Sequence, residues 1–479
     1  MTNKLGYIPK EDRKKVLLLC DDIRMHSGIA TMAREFVIGS AHHFNWFQLA
    51  AAVKHGDTGK VLNISSDVNK QIGIEDSDVR LRPNNGYGDV KTVRQIIKDE
   101  KPDAIFIFTD PRYWTWLFEI EREIRSQIPI VWLNIWDDYP APMYNKQYYN
   151  SVDALLAISK QTKVINEIVL QDDYKDKLSA YVPHGINTDQ FKPLDKNSKD
   201  YIKFKEEVLM GQDYEYVVFF NSRNIQRKRP GDVILSYRMF CDKIGKEAAS
   251  KCVLVMHTAV ADQHGTDLRA VKEALCDPSY VNVLFSTTKL TPAQMNGLYN
   301  LADVTMLISS NEGWGLSLTE SLVTGTMIIG AVTGGMQDQM RFEDENGDWL
   351  DLSPDFPSNH RGTYKKCGDW AMPVFPSNIS LAGSVPTPYI FDDRVSPEDV
   401  ADALVKVYEI PREERIARGE KGRVWATSKE ASFTGEHMSN SIIKYVDETI
   451  DTFTPRPAFE FIHIDERPSK YIEHKLTGY

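Results

Sequence analysis

An α/β chain folded as two Rossmann-like domains that face each other across a cleft is the architecture this sequence predicts, on three observations. Short apolar runs alternate with helical patterns, as in parallel sheets covered by helices on both faces. The alternation restarts after a polar stretch at residues 193–200. At 479 residues the chain also exceeds what a single core holds, so two or more domains are expected.

The first half opens with an apolar run at 16–20, read as a buried strand. Ser27 follows, able to cap a helix through its hydroxyl, and Gly39 is read as the stop of that helix. Gly28 lies at the helix start, where a missing Cβ lets a ligand approach the backbone; an ordinary capping turn uses the same residues. No GxGxxG occurs there, so a dinucleotide fingerprint is absent. Further strands are predicted at 61–64, 104–108, 130–135 and 155–158, with helices at 89–99, 114–126 and 161–170. The loops 109–114 and 136–139 leave strand ends carrying polar and aromatic residues, among them Asp137 and Asp138, and are expected to open on the cleft. His184 and Gly185 are read as the end of a strand just before the linker.

In the second half, strands are predicted at 217–221, 252–257, 281–285, 304–308 and 326–331, and helices at 231–244, 267–276, 292–301 and 316–323. Thr291-Pro292 is a cap followed by proline at the first helical position. Between 341 and 394 the periodicity fails and the composition turns to Pro, Gly, Asn and aromatics, which reads as a long loop. Its Trp370, Phe375 and Tyr389 either anchor it or stack on a ligand. A helix from 397 to 408, another from 411 and a last long one at 433–453 complete the pattern, before a tail with alternating Phe and Ile near 459–464. The domains expected are therefore 1–193, 194–430 with the loop 341–394, and a C-terminal helix and tail at 431–479.

Charge and cysteine content narrow the partners. Lys plus Arg is 57 against 68 Asp plus Glu, a net charge of -11 that argues against a general nucleic-acid-binding surface. Five cysteines without a CxxC spacing suggest neither a zinc site nor a disulfide framework, and fit a reducing cytoplasm. The N-terminus has no apolar segment of signal-peptide type, and no apolar run approaches the roughly 20 residues of a spanning helix, so membrane contact, if any, is expected to be peripheral.

The chemistry concentrates in residues 309–325, SSNEGWGLSLTESLVTG, where a strand passes through a glycine-bearing loop into a helix. Such a helix start presents unpaired N–H groups and positive dipole, which suit a phosphate. Glu312 in the loop and Glu320 in the helix stand eight residues apart, about 12 Å along a helix axis, with the helix start between them. Taken alone, such a pair reads more readily as a helix cap and a solvent-exposed glutamate, since Glu is common on helices. Four cations, Arg223, Arg227, Lys228 and Arg229, follow the predicted strand 217–221 and emerge on the same edge, where a diphosphate leaving group needs neutralising.

Taken together, Glu312 and Glu320 with Gly313 and Gly315 between them, Arg223 with Lys228, the passage VPHGINTDQFKP at 182–193 and the Ser27-Gly28 loop resemble the retaining, glycogen-synthase-like GT-B glycosyltransferases, which include glycosyltransferase family 4. The resemblance runs in order from residue 16 to about 335. It implies transfer of a hexose from a UDP-, GDP- or ADP-linked sugar, with retention and without a metal or other cofactor. It implies that Arg223 and Lys228 hold the diphosphate, that Glu320 bonds the ribose and that Glu312 contacts the transferred sugar. Backbone N–H groups around Gly313, Trp314, Gly315 and Leu316, with Gly28 opposite, would cradle the phosphates, and the last helix would cross back to the first domain.

Where the family often carries a His-Asp pair after the strand at 130–135, this chain has Asn134-Ile135-Trp136-Asp137-Asp138. Asp137, Asp138 and His184 are the candidates for the acceptor side. Two other readings share these residues: a retaining phosphorylase or sucrose-synthase-like enzyme, and a non-catalytic nucleotide-sugar-binding protein. The acceptor is not readable from the sequence, and the net acidity disfavours nucleic acid.

Overall fold

The computed structural model describes residues 6–457 apart from 53 and 55. Two sheets organise it. The first is seven-stranded in the order β3-β4-β2-β1-β5-β6-β7, formed by β1 (Lys15–Asp21), β2 (Asn45–Ala51), β3 (Leu62–Asn63), β4 (Val79–Pro83), β5 (Ala104–Phe108), β6 (Ile130–Asn134) and β7 (Ala154–Ala157). All pairs are parallel except the short edge pair β3–β4. The second is six-stranded and wholly parallel in the order β10-β9-β8-β11-β12-β13, from β8 (Tyr216–Asn221), β9 (Cys252–His257), β10 (Asn282–Ser286), β11 (Val304–Leu307), β12 (Met327–Ala331) and β13 (Ala371–Val374). Without its antiparallel edge, the first sheet has the same doubly wound order as the second, so the expected pair of Rossmann-like domains is what the chain forms. The strands read as continuous apolar runs because both faces are covered: every residue of β5, β6 and β7 is buried.

Several elements depart from the expectation. β2 and β4 were not foreseen, because Asn45 and Gln48 interrupt one and Arg80 and Arg82 the other. Gln48 is tolerated inside since its Nε2 donates to Asp21 O at 2.7 Å. Gly39 does not stop its helix, which runs Gly28–Ser40 with Ser27 Oγ accepting from Ala30 N. It lies under the C-terminal helix Gly435–Thr452, where a Cβ would stand 2.0 Å from Ser439 Oγ, so the glycine serves a helix crossing. The helix expected at 114–126 is two short ones, Thr115–Glu119 and Glu121–Arg125. Part of the presumed linker begins the helix Lys199–Val208, capped by Ser198.

The segment 341–394 is not one loop. It supplies β13, which closes the second sheet, and an antiparallel hairpin of β14 (Asn378–Ser384) and β15 (Thr387–Arg394). Of its aromatics, Trp370 is buried against Trp425 with ring centroids 5.0 Å apart, as an anchor, whereas Tyr389 meets Tyr144 of the first domain at 5.0 Å. Phe391 N donates to Tyr139 O at 2.7 Å, so the hairpin reaches across the cleft. The domains also join where Ile186 and Phe433–Gly435 exchange backbone bonds, a contact so close that a Cβ on Gly185 would lie 2.0 Å from Thr434 O. The alternating tail near 459–464 lies outside the described residues.

Candidate functional site

In a doubly wound sheet the crevice lies where the strand order reverses, at the carboxyl ends of β1 and β5 in the first domain and of β8 and β11 in the second. The loop after β11 is built to present Glu312 there. Ser310 N donates to Arg227 O at 2.8 Å, Ser310 Oγ accepts from Arg229 Nε at 2.7 Å, and Asn311 Nδ2 donates across the cleft to Asp138 Oδ2 at 3.0 Å. From the other side the turn after β12 supports it: Gly335 N donates to Glu312 O at 3.0 Å. A Cβ on Gly334 or Gly335 would fall 2.2 Å from Glu312 O or 2.1 Å from Gly313 O, so only glycine lets the two turns touch.

Gly315, at φ +90°, opens the helix Leu316–Val323 with no side-chain cap. The first N–H groups of that helix therefore have no intrahelical partner, and the positive end of its dipole faces outward. Trp314 is fixed behind it by Nε1 donating to Thr319 Oγ1 at 2.8 Å and by Gln339 Nε2 donating to its carbonyl at 2.5 Å. Gly28 stands opposite: an added Cβ would lie 3.4 Å from Leu316 Cδ1, so two helix starts face one another across the cleft.

Lys228 and Glu312 form an ion pair in direct contact, with side chains only 11% and 12% exposed. Arg227 Nη1 joins them, 3.4 Å from Glu312 Oε2 and 2.8 Å from Asn311 O. Burial and the neighbouring Arg227 push the Lys228 ammonium down, and Asp137 works against them. The Glu312 carboxylate in contact opposes that shift as well. Arg223, expected beside Lys228, is 64% exposed and pairs with Asp262 at 3.3 Å. Arg227 holds the inner place instead.

Glu320 is held by Tyr299, whose Oη donates to Oε2 and itself accepts from Asn221 Nδ2 at 2.8 Å. Burial raises its carboxyl to about 7, with the Tyr299 hydroxyl acting against the shift. A proton is thus taken up on folding between the ordinary value of 4.5 and about 7. The stability this contributes is full below the ordinary value and is lost as pH rises through the folded one. Calorimetric Tm is therefore expected to fall from about pH 5 to about pH 8, and to fall less in Glu320→Gln; superimposable profiles would refute the assignment.

The acceptor-side candidates divide. Burial raises the Asp137 carboxyl, and the nearby charges of Arg227 and Lys228 oppose that rise without cancelling it. Asp138 is buried with both oxygens engaged, Oδ1 by Tyr139 N at 2.8 Å and Oδ2 by Asn311, so it ties the domains together. His184 is buried edge-on between Phe108 and Trp314, with centroids 5.6 and 6.0 Å away. Burial pushes its imidazole down to about 3, so it packs as a neutral ring behind the donor loop.

Sequence reasoning counted Arg227 in the cation cluster but gave the inner place to Arg223, and it missed Tyr299, Asn221, the Gly334-Gly335 pair and Asp392, which accepts from Arg229 Nη2 at 2.9 Å. Only the double glycine after a predicted strand carried a local signal. Among the described residues no cluster of three or more His, Cys, Asp or Glu is arranged to hold a metal ion, and no helix is long and apolar enough to cross a membrane.

No model of a known protein family matches the sequence, and no curated protein matches it. Solved structures do match the fold. HepE of Anabaena, in complex with UDP and glucose, is 12% identical with a TM-score of 0.61 over 91% of this chain and 100% of that one. Sucrose-phosphate synthase from Thermosynechococcus elongatus is 12% identical at 0.62 over 92% and 100%. A glycosyltransferase from Rickettsia africae is 14% identical at 0.60 over 92% and 100%. The architecture is thus that of the GT-B glycosyltransferases. These likenesses in fold hold at 12–14% identity, where shape is shared and little sequence is.

Proposed function

We propose that this protein is a retaining glycosyltransferase that moves a hexose from a nucleotide-diphosphate sugar to an acceptor hydroxyl. The observation that carries the reading is the buried Lys228–Glu312 pair at the β8/β11 switch point, beside the uncapped start of the helix Leu316–Val323. The diphosphate sits against that helix start, with Gly28 opposite, and Lys228 neutralises charge as it departs. Arg227 or Arg223 supplies the second cation. Glu320 accepts from the ribose hydroxyls and Glu312 contacts the sugar.

The anomeric C–O bond to phosphate breaks, the acceptor oxygen bonds to the same face of that carbon, and the acceptor proton passes to the departing phosphate. Side-chain cations and the helix dipole meet the charge in this scheme, so the reaction needs no metal. The cytoplasm, where nucleotide sugars are at hand, suits the five unpaired cysteines.

Incubation with UDP-, GDP- and ADP-glucose and -mannose, following nucleotide release, tests the reading. Release with one base and an α-linked product is expected. Release that depends on free phosphate would identify a phosphorylase, and no release with any donor, unchanged in Lys228→Ala, would leave only a binding protein.

A further inference from the structure

The second domain carries a cavity of about 780 Å³ on the edge of its sheet opposite the candidate site. It opens at the amino ends of β8, β11 and β12, where Val217, Asp303 and Met327 line it. Ligands of doubly wound sheets bind beyond the carboxyl ends of the strands, so the transfer reaction leaves this cavity unassigned. Its volume is that of a pocket for a small organic molecule.

Its walls are held in place by hydrogen bonds. One wall is the polar stretch between the domains: Lys192 N donates to Asn296 Oδ1 at 3.0 Å, Leu194 N to Asn300 Oδ1 at 2.8 Å, and Asn300 Nδ2 returns a bond to Lys192 O at 2.9 Å. Tyr201, buried behind it, donates from Oη to Asn300 O at 3.2 Å. Another wall is the start of the helix Arg412–Ala426, which has no side-chain cap and so leaves its first N–H groups unpartnered by one. Arg412, Arg415 and Ile416 of that helix line the cavity, whereas Glu413 and Glu414 do not. Ile202 and Ile416, 44% and 54% exposed, offer apolar surface to whatever enters.

The cations of the cavity exceed the partners they have. Arg415, 8% exposed, is fixed by Nη1 donating to Ile410 O at 2.6 Å and Nη2 to Asp303 Oδ1 at 3.1 Å, and its buried Nε has no partner. Asp303 Oδ2 is taken by Val217 N at 2.9 Å. Lys205 pairs with Asp213 at 2.9 Å, while Glu215 and Glu420 are drawn off by Lys251 and Arg423. Lys196 and Arg412 are left: among the described residues neither has a hydrogen bond or an ion pair from its side chain. Of the lining carboxylates only Glu206, exposed at the rim, is likewise unpaired there. Although Lys196 is exposed as a residue, desolvation at its ammonium lowers it, Asp303 raises it, and Arg412 and Lys205 both lower it. Three cations thus stand close enough to destabilise one another, a tension that an entering anion relieves.

We propose that this cavity is a second ligand site, separate from the donor cleft, for a small soluble phosphate monoester, its phosphate between Lys196, Arg412 and the helix start and its carbon body along Ile202 and Ile416. A phosphate monoester carries about two negative charges near neutral pH and three acceptor oxygens, which match two unpaired cations and the N–H groups of an uncapped helix. The proposal goes beyond the glycosyltransferase reading and does not depend on it.

Isothermal titration calorimetry on the full chain tests it, with glycerol 3-phosphate, ribose 5-phosphate, phenyl phosphate and inorganic phosphate as probes and glycerol and ribose as neutral controls. At least one ester is expected to bind wild type and Lys228→Ala within about twofold of each other, and to weaken about tenfold or more in Lys196→Gln and in Arg412→Gln. Both substitutions fall on exposed side chains, so the fold is expected to survive them. Inorganic phosphate, which has no body to lay on the isoleucines, is expected to bind less well than the best ester. Failure of every ester to bind, or binding unchanged in both Lys196→Gln and Arg412→Gln, would overturn the site. Binding lost in Lys228→Ala and kept in the other two would place the ester in the donor cleft and overturn it equally. A neutral control that binds as tightly as its phosphate would overturn the anion chemistry. Co-sedimentation with phosphatidic acid vesicles, with no soluble ester bound, would put the phosphate on a lipid and overturn the soluble ligand. Nucleotide release from sugar donors tests the transferase reading separately, and its failure would leave this site standing.

Discussion

Lys228→Ala is expected to slow donor cleavage by about 10²–10³-fold, the usual loss when one preorganised donor to a developing oxyanion is removed from a water-poor site. Lys228 closes the 3-10 turn Gln226–Lys228 before the helix Pro230–Ile244, so its direction is set by backbone on both sides. Its ammonium needs little reorganisation to meet a phosphate, and the Glu312 carboxylate on the other side keeps it oriented. Lys228→Arg should recover only part of the rate, because a planar fork does not reproduce a compact charge in contact with a buried carboxylate. Truncation also leaves the buried Glu312 with only its longer contact to Arg227, so thermal stability should drop alongside the rate. Stopped-flow release of nucleotide under single-turnover conditions, on enzyme whose folding has been checked by circular dichroism, measures the chemical step. A single-turnover rate within about threefold of wild type would remove Lys228 from the catalytic role.

The two glutamates are expected to fail differently. Glu312→Gln should lower kcat by about 10²-fold or more with donor KM nearly unchanged, since its carboxylate acts at the reacting sugar. Glu320→Ala should raise donor KM by about 10–100-fold with a smaller change in kcat, the cost of two hydrogen bonds from ribose hydroxyls to its carboxyl oxygens. The structure gives the split a physical basis. Glu312 contacts Lys228 and Arg227, whereas Glu320 is held apart from them by the Asn221–Tyr299 chain. Tyr299→Phe removes the hydroxyl that orients Glu320 and should copy its KM effect in weaker form. Initial-rate kinetics over a range of donor concentrations decide the matter, and equal effects on both parameters in the two glutamate variants would refute the division.

Much of this was present in the local sequence. The strands at β5 and β9 and the helices Pro292–Leu301 and Leu316–Val323 lie where apolar runs, caps and glycine stops placed them, because each is decided by residues within a few positions of one another. Thr291 and Gln294 form the reciprocal cap that the Thr-Pro start announced. β2 and β4 were hidden by polar residues whose partners come from elsewhere in the sheet. β13 was hidden by being four residues long and paired with β12 across some forty residues of irregular chain.

The site shows the same boundary. The sequence by itself determined that two glutamates, a glycine-bearing helix start and a cluster of cations would gather on one sheet edge, since strand polarity carries every β-to-helix loop to the carboxyl end. Only the tertiary structure decided which cation faces Glu312. Arg223 turns to Asp262 while Arg227 turns inward, although they are four residues apart, and the difference comes from partners brought up by other strands. The same holds for Glu320, whose raised carboxyl follows from burial beside Tyr299. Spacing along the chain sets which face of an element a residue occupies; what that residue meets there is set by neighbours that spacing cannot reach.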